Sequence, residues 1–193
     1  NKIVTMSKYT KICLLLSLFL FIYCHVPPSR EIQNKDFTDL SSIIESSDRV
    51  LSLSYLDEKI EYSAEEENYI SLKFEIVEKF IGSSKEGEII FITFSKSYFD
   101  ELTSQNKENI SFSKENNYLF FLMGRAKKNT FPKKLGGSLW LNNGNPSIYE
   151  ITDNKINIIS NPLIIENLPE EFNNIQKISY SDFRKIILEK IIK

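Results

Sequence analysis

From Arg49 onward the apolar positions alternate. Leu51, Leu53 and Tyr55 are separated by Ser52 and Ser54, and Ile70, Leu72, Phe74 and Ile76 by Ser71, Lys73 and Glu75. A period of two marks a strand with one face on a core. The pattern predicts a first strand over Arg49 to Tyr62, with a bulge or loop at Asp57-Glu58-Lys59. A second strand runs over Tyr69 to Ile81, joined to the first by the acidic tip Ala64 to Asn68. The apolar phase slips at Val77, which predicts a bulge or bend. Gly82 to Glu88 reads as a turn. Ile89 to Ser95 (IIFITFS) and Tyr118 to Met123 (YLFFLM) are apolar almost throughout. Strands of that kind are expected in the interior of a sheet.

The remaining segments are shorter. Lys96 to Asn117 is polar and reads as a long loop with one helical turn around Tyr98 to Leu102. Ser138 to Leu141 predicts a short strand carrying Trp140, and Asn142 to Pro146 (NNGNP) a turn. Ser147 to Ile151 and Lys155 to Ser160 predict a hairpin across Thr152-Asp153-Asn154. Asn161 to Gln176, with Pro162 and Pro169, reads as an irregular connection. Helices are expected at the two ends. Asp36 is placed to cap a first one over Asp36 to Ser47, with Asp39 three residues on and Phe37, Leu40, Ile43 and Ile44 on one face. Ser179 is placed to cap the last, with Asp182 in a capping-box position and Phe183, Ile186, Ile187 and Ile191 as its apolar face. Short strands in a row with terminal helices predict a mainly β fold. The expected form is a small antiparallel barrel or sandwich, not alternating β/α units.

Ahead of this body the pattern changes. Lys8 and Lys11 precede a run from Ile12 to Tyr23 that holds no charge, followed by Cys24 and then Pro27 and Pro28. A charged start with a short apolar core is the layout of an export signal. A membrane-crossing helix needs about 20 apolar residues, more than this run supplies. Phe21-Ile22-Tyr23-Cys24 resembles a bacterial lipoprotein signal of the looser, spirochaete-like kind, with Tyr23 where that family has a small residue. The resemblance implies cleavage before Cys24 and acylation of that cysteine with palmitate-type chains. Residues 1–23 are then the signal, with Met6 the natural start, and 24–35 form a lipidated tether. Residues 36–193 are a single domain. Of the chain's two cysteines, Cys13 lies in the discarded core. Cys24 alone remains, which excludes an internal disulfide and fits lipid attachment.

Composition narrows the function classes. Removing 23 of 193 residues leaves 170, enough for one well-buried domain. The signal takes three lysines and no acid from a net charge of −2, so the body stands at −5. An acidic body lacks the basic footprint of a nucleic-acid binder, and no nucleic-acid partner is expected. Six glycines leave no Gly-rich phosphate loop. The one histidine, His25, sits beside Cys24, which argues against His-based triads and multi-His metal sites. Neither a cofactor nor a metal is expected. Glu65-Glu66-Glu67 lacks the spacing of a calcium loop and reads as a solvated tip. Trp140 and Tyr149 read as core aromatics. Arg125, Lys127, Lys128, Lys133 and Lys134 crowd one loop around Phe131. They form a possible interaction surface for anionic headgroups or an acidic partner. No spacing singles out a catalytic pair of carboxylates.

Three strand patterns carry a second resemblance. FEIVEKFIG (Phe74 to Gly82), GEIIFI (Gly87 to Ile92) and YLFFL (Tyr118 to Leu122), with the ending Ser179-Tyr180-Ser181-Asp182-Phe183, are similar to bacterial domains related to the netrin-like and TIMP-like OB barrels. The resemblance implies an OB-like β-barrel with a short N-terminal helix and a C-terminal helix. TIMP-type inhibitors present a free N-terminal cysteine pinned by disulfides. Here no disulfide partner exists and acylation occupies Cys24, so that mode of inhibition is not expected. The resulting expectation is a lipid-anchored protein of the bacterial envelope, held outside the cytoplasm by membrane lipid at Cys24. Its barrel serves as a non-catalytic module for a protein or other envelope partner. The alternatives are an envelope hydrolase using surface carboxylates and an uncleaved signal-anchored protein with the same domain.

Overall fold

A computed structural model describes residues 39–64, 66–104, 112–125, 132, 135, 139–141, 146–159 and 168–192. The expected signal and tether, 1–35, lie outside the described residues, as does Asp36. The elements in order are helix α1 (Leu40–Ser46), β1 (Arg49–Ala64), β2 (Glu67–Ile81), β3 (Ile89–Ser95) and α2 (Lys96–Ser104). Then come β4 (Asn117–Arg125), β5 (Leu139–Leu141), β6 (Ile148–Thr152), β7 (Lys155–Ile159), α3 (Glu170–Ile175) and α4 (Tyr180–Ile192). The protein is mainly β. Its sheet of seven strands runs in the order β1-β2-β3-β5-β4-β6-β7, and β1 also pairs with β4. Every pairing is antiparallel except β3–β5, which is parallel at Ile92↔Leu139 and Thr93↔Trp140.

The β1–β2 hairpin bends at the places the sequence marks. Ser52 faces Glu78 and Leu53 faces Ile76, so Val77 is one residue too many on β2. A bulge twists the strand and turns that side chain outward, and Val77 is 46% exposed. On β1, Tyr55 faces Phe74 but Lys59 faces Leu72, which crowds three residues against Lys73. Asp57 relieves the crowding in the left-handed region at φ 57°, where Asp is among the few tolerated residues. The suspected interruption is therefore a bulge within one continuous strand.

β4 has partners along both edges. Its residues Asn117 to Leu122 pair with β1. On the opposite edge Asn117 to Phe120 pair with β6 and Leu122 to Arg125 with β5. Its side chains alternate between two cores. Tyr118, Phe120 and Leu122 join Leu51, Leu53, Leu72, Phe74, Ile92 and Phe94 in the first. Leu119 and Phe121 join Val50, Tyr149 and the helix residues Leu40, Ile43, Phe172, Phe183 and Ile187 in the second. Two-sided burial explains why YLFFLM shows no period of two. Phe112 packs against the first core and meets the rings of Tyr55, Phe74, Phe94, Tyr118 and Phe120, with centroids 4.9–6.3 Å away.

 Phe99 stacks on the Phe112 ring as well, at 6.5 Å and 15°.

The helices depart from expectation in three places. The first is capped by Asp39, not Asp36. Asp39 Oδ1 accepts the Ser42 N–H at 2.8 Å, and helix α1 starts at Leu40. Lys96 to Ser104, expected as a loop with one turn, is a full helix. Its Leu102 is buried in the first core, and Tyr98 and Phe99 pack against that core. The expected irregular connection contains α3. Pro169 immediately precedes it, a position that suits proline because the first helical turn needs few donors. Helices are thus not confined to the ends of the domain. The last helix follows expectation: Ser179 Oγ accepts the Asp182 N–H at 3.2 Å and donates to the Asp182 carboxylate at 2.7 Å.

Two contacts tie this last helix to the sheet. Arg184 Nη2 meets Glu78 Oε1 on β2 at 2.5 Å. The β6–β7 turn, Asp153-Asn154, has φ of 50° and 62°, the left-handed pair of a two-residue hairpin. Asn154 also caps α4, its carbonyl accepting the Tyr180 N–H at 2.8 Å and its Oδ1 the Ser181 N–H at 3.1 Å. Asn154→Ala loses both the favourable turn geometry and the side-chain cap. It is expected to cost about 2 kcal/mol in chemical denaturation. Asn154→Gly keeps the turn and is expected to cost about 1 kcal/mol or less.

Tyr149, read from the sequence as a core aromatic, is buried in the second core between Phe121 and Phe183 at 5.5 and 5.4 Å. Its buried hydroxyl has no hydrogen-bond partner among the described residues. Burial, and secondarily the Glu171 carboxylate, push its ionisation well above the ordinary tyrosine value. An unmet buried hydroxyl opposes folding by about 1–3 kcal/mol. Tyr149→Phe is therefore expected to leave the denaturation midpoint unchanged or raise it, by up to about 1 kcal/mol. A clear loss of stability would mean that the hydroxyl is satisfied.

Candidate functional site

The β1–β2 turn builds a groove whose side chains bring aromatic and polar groups together. Ala64 pairs with Glu67, so residues equidistant from that turn face each other: Ser63 with Asn68, and Tyr62 with Tyr69. The two tyrosine rings stack at 5.7 Å with planes 26° apart. Cross-strand aromatic pairs of this kind stabilise a hairpin by about 0.2–1 kcal/mol. Glu61, Tyr62, Ser63, Asn68, Tyr69 and Lys96 line an open groove of about 330 Å³.

The groove is held by bonds beneath and beside it. The Tyr62 hydroxyl lies 3.2 Å from Ser71 Oγ on β2 and 3.4 Å from Thr93 Oγ1 on β3. Ser71 and Thr93 are themselves 2.6 Å apart and both buried. These hydroxyls pair with one another, which removes the penalty of burying them. Tyr69 donates to Glu67 at 2.7 Å, and Ser63 donates to Asn68 Oδ1 at 2.6 Å. Each charge on the rim has a partner: Glu61 with Lys59 at 2.7 Å, and Lys96 with Asp100 at 2.6 Å. The Lys59 hydrogen bond lowers the Glu61 carboxyl, and the Asp100 hydrogen bond raises the Lys96 ammonium. At neutral pH both are charged and locally balanced.

Carboxylates with a perturbed acidity, Asp39, Glu61 and Asp182, are all moved down. The Ser42 N–H acts on Asp39, Lys59 on Glu61, and Ser179 with Lys185 on Asp182. A general acid needs the opposite shift. Among the described residues no group of three or more His, Cys, Asp or Glu side chains is placed to hold a metal ion. Among them, too, no helix is long and apolar enough to cross a membrane.

The residues singled out in the sequence fall elsewhere. Cys24, His25, Lys127, Lys128, Phe131, Lys133 and Lys134 lie outside the described residues, and Arg125 is the last residue of β4. Of the glutamate run, Glu65 is outside the described residues, Glu66 takes the turn at φ 68°, and Glu67 opens β2. Trp140 occupies the middle of β5, opposite Thr93. Sequence reasoning missed Tyr62, Asn68, Tyr69 and Lys96. The signal was available: a two-residue turn at Glu65-Glu66 forces Tyr62 onto Tyr69.

No family model matches the chain, and no curated protein or solved structure matches it.

The buried hydroxyl set has a consequence for pH. Burial raises the Tyr62 phenol, and the Ser71 and Thr93 hydrogen bonds only partly oppose it. The folded state therefore holds the proton more tightly than the unfolded chain. Stability from this group is complete below the unfolded value of about 10 and is lost as pH rises through the folded value. Spectrophotometric titration of wild type and Tyr62→Phe is expected to assign one phenol above pH 10 to Tyr62. The variant is expected to lose less stability on the same alkaline ramp.

Proposed function

We propose that the protein is a lipid-anchored component of a bacterial envelope whose OB-like β-barrel is a non-catalytic binding module. The barrel reading is supported by the order of strand pairing. Neighbours run β1-β2-β3-β5-β4, and β4 pairs again with β1. Helix α2 lies between β3 and β4. A five-stranded, partly open barrel of this kind presents the outer face of its second and third strands and the adjoining loops to ligands. The anchor reading is supported by Lys8 and Lys11, the uncharged run Ile12 to Tyr23, and Cys24 as the single cysteine after it.

The observation that carries the binding reading is the tyrosine pair braced on the Ser71–Thr93 hydroxyls. This pair sets an aromatic surface with a polar rim beside the β1–β2 turn. Aromatic surfaces with a few fixed polar groups are typical of ligand sites. The lowered, paired carboxylates favour binding over hydrolysis.

Metabolic labelling with a fatty acid tests the anchor. Wild type is expected to take label and Cys24→Ala to take none. An unlabelled wild type, or a labelled variant, would overturn the lipoprotein assignment. For the module, the full chain is incubated with glycan and ester substrates. No turnover is expected, and turnover abolished by changing a single Asp or Glu would refute the non-catalytic reading.

A further inference from the structure

We infer that the groove between Tyr62, Tyr69 and Lys96 binds a neutral, hydroxyl-rich ligand, a short glycan, with the Tyr69 ring as its stacking surface. This deepens the binding-module reading and rests on it. The chemistry of the lining selects the ligand by elimination. An anion would meet the Glu61 carboxylate, and the one cation in the lining, Lys96, is already matched by Asp100 at 2.6 Å. A metal ion would find a single carboxylate, held by Lys59 at 2.7 Å. A lipid chain would find four polar side chains and only two rings. What remains is a ligand with no net charge, many hydroxyls and an apolar ring face.

A sugar ring has those properties. Its C–H face stacks on an aromatic ring, and its hydroxyls both donate and accept. With the Ser63 hydroxyl donating to Asn68 Oδ1 at 2.6 Å, Asn68 keeps its amide N–H groups as donors and Ser63 its hydroxyl oxygen as an acceptor. The volume of about 330 Å³ lies at the small end of ligand sites and suits a disaccharide. The brace beneath Tyr62 keeps the aromatic surface in place before the ligand arrives. That lowers the ordering cost of binding.

Nuclear magnetic resonance of the full chain in detergent micelles tests this, with chitotriose, maltotriose and cellotriose as probes and inorganic phosphate as the anionic control. At least one trisaccharide is expected to shift the backbone signals of Asn68 and Tyr69 saturably below about 10 mM, an ordinary range for small ligands. Phosphate is expected to shift neither. Tyr69→Ala is expected to weaken the sugar about tenfold, and Tyr69→Phe, which keeps the ring, less than about threefold. The unchanged spectrum of the first core in each variant checks that it is folded. Absence of a saturable shift with every trisaccharide, or equal affinity in folded Tyr69→Ala, overturns the glycan assignment. If an envelope protein is then retained through Tyr69, the module reading stands without the glycan. Hydrolysis of a bound trisaccharide would instead overturn the module reading.

Discussion

Burial of β4 on both faces is the constraint on which the rest of the structure depends. Tyr118, Leu119, Phe120, Phe121 and Leu122 are each 0% exposed, and successive residues point to opposite sides. One side needs the interior formed by β1, β2 and β3, and the other needs a cover of helices. Burying a large apolar side chain contributes about 1.5–3 kcal/mol, so neither face is dispensable. A one-residue slip against β1 would exchange the two sets of side chains and misfit both cores. The paired ends reinforce the register: the Asp48 N–H donates to the Leu122 carbonyl at 2.9 Å, and the Gly124 N–H to the Asp48 carboxylate.

Much of the sheet was legible because its local chemistry and its packing agree. The slip in apolar phase at Val77 predicted the bulge, and Thr152-Asp153-Asn154 predicted the hairpin, whose turn residues Asp153 and Asn154 are left-handed. Helices were read less well, for separate physical reasons. Asp36 and Asp39 are both capable caps, and the choice of Asp39 depends on the Ser42 amide three residues on. At α1 the cap is also helped from afar, since the Leu40 N–H donates to Glu171 at 2.8 Å. In α2, Tyr98, Phe99 and Leu102 supply the apolar face, but polar residues around them hid it. Pro169 was read as a breaker, and it starts α3 instead.

The groove was hidden for a different reason. A period of two tells which residues share a face of one strand, but not which residues meet across two strands. The pairing of Tyr62 with Tyr69 follows only once the turn is fixed at Glu65-Glu66, and the expected second strand began two residues late. The contact from Tyr62 to Thr93 crosses a further strand and depends on the register of β2 with β3, Ser71↔Thr93. Lys96 enters the lining because β3 runs directly into α2. The basic residues that drew attention in the sequence were conspicuous by composition alone, which carries no information about facing neighbours.

The helix pair at the domain's two ends also has a mechanical meaning. Lys190 Nζ donates to Ser41 Oγ at 2.8 Å and meets Glu171 Oε1 at 3.4 Å, while Glu171 also holds the Leu40 N–H. The first helical turn is thus clasped by side chains from the last two helices. Force applied through the residues before Asp39 does not load β1 alone. It is shared with α3 and α4, and through the Arg184–Glu78 pair it reaches β2. A pull on the front end of the domain therefore meets side chains from its back end before it meets β1.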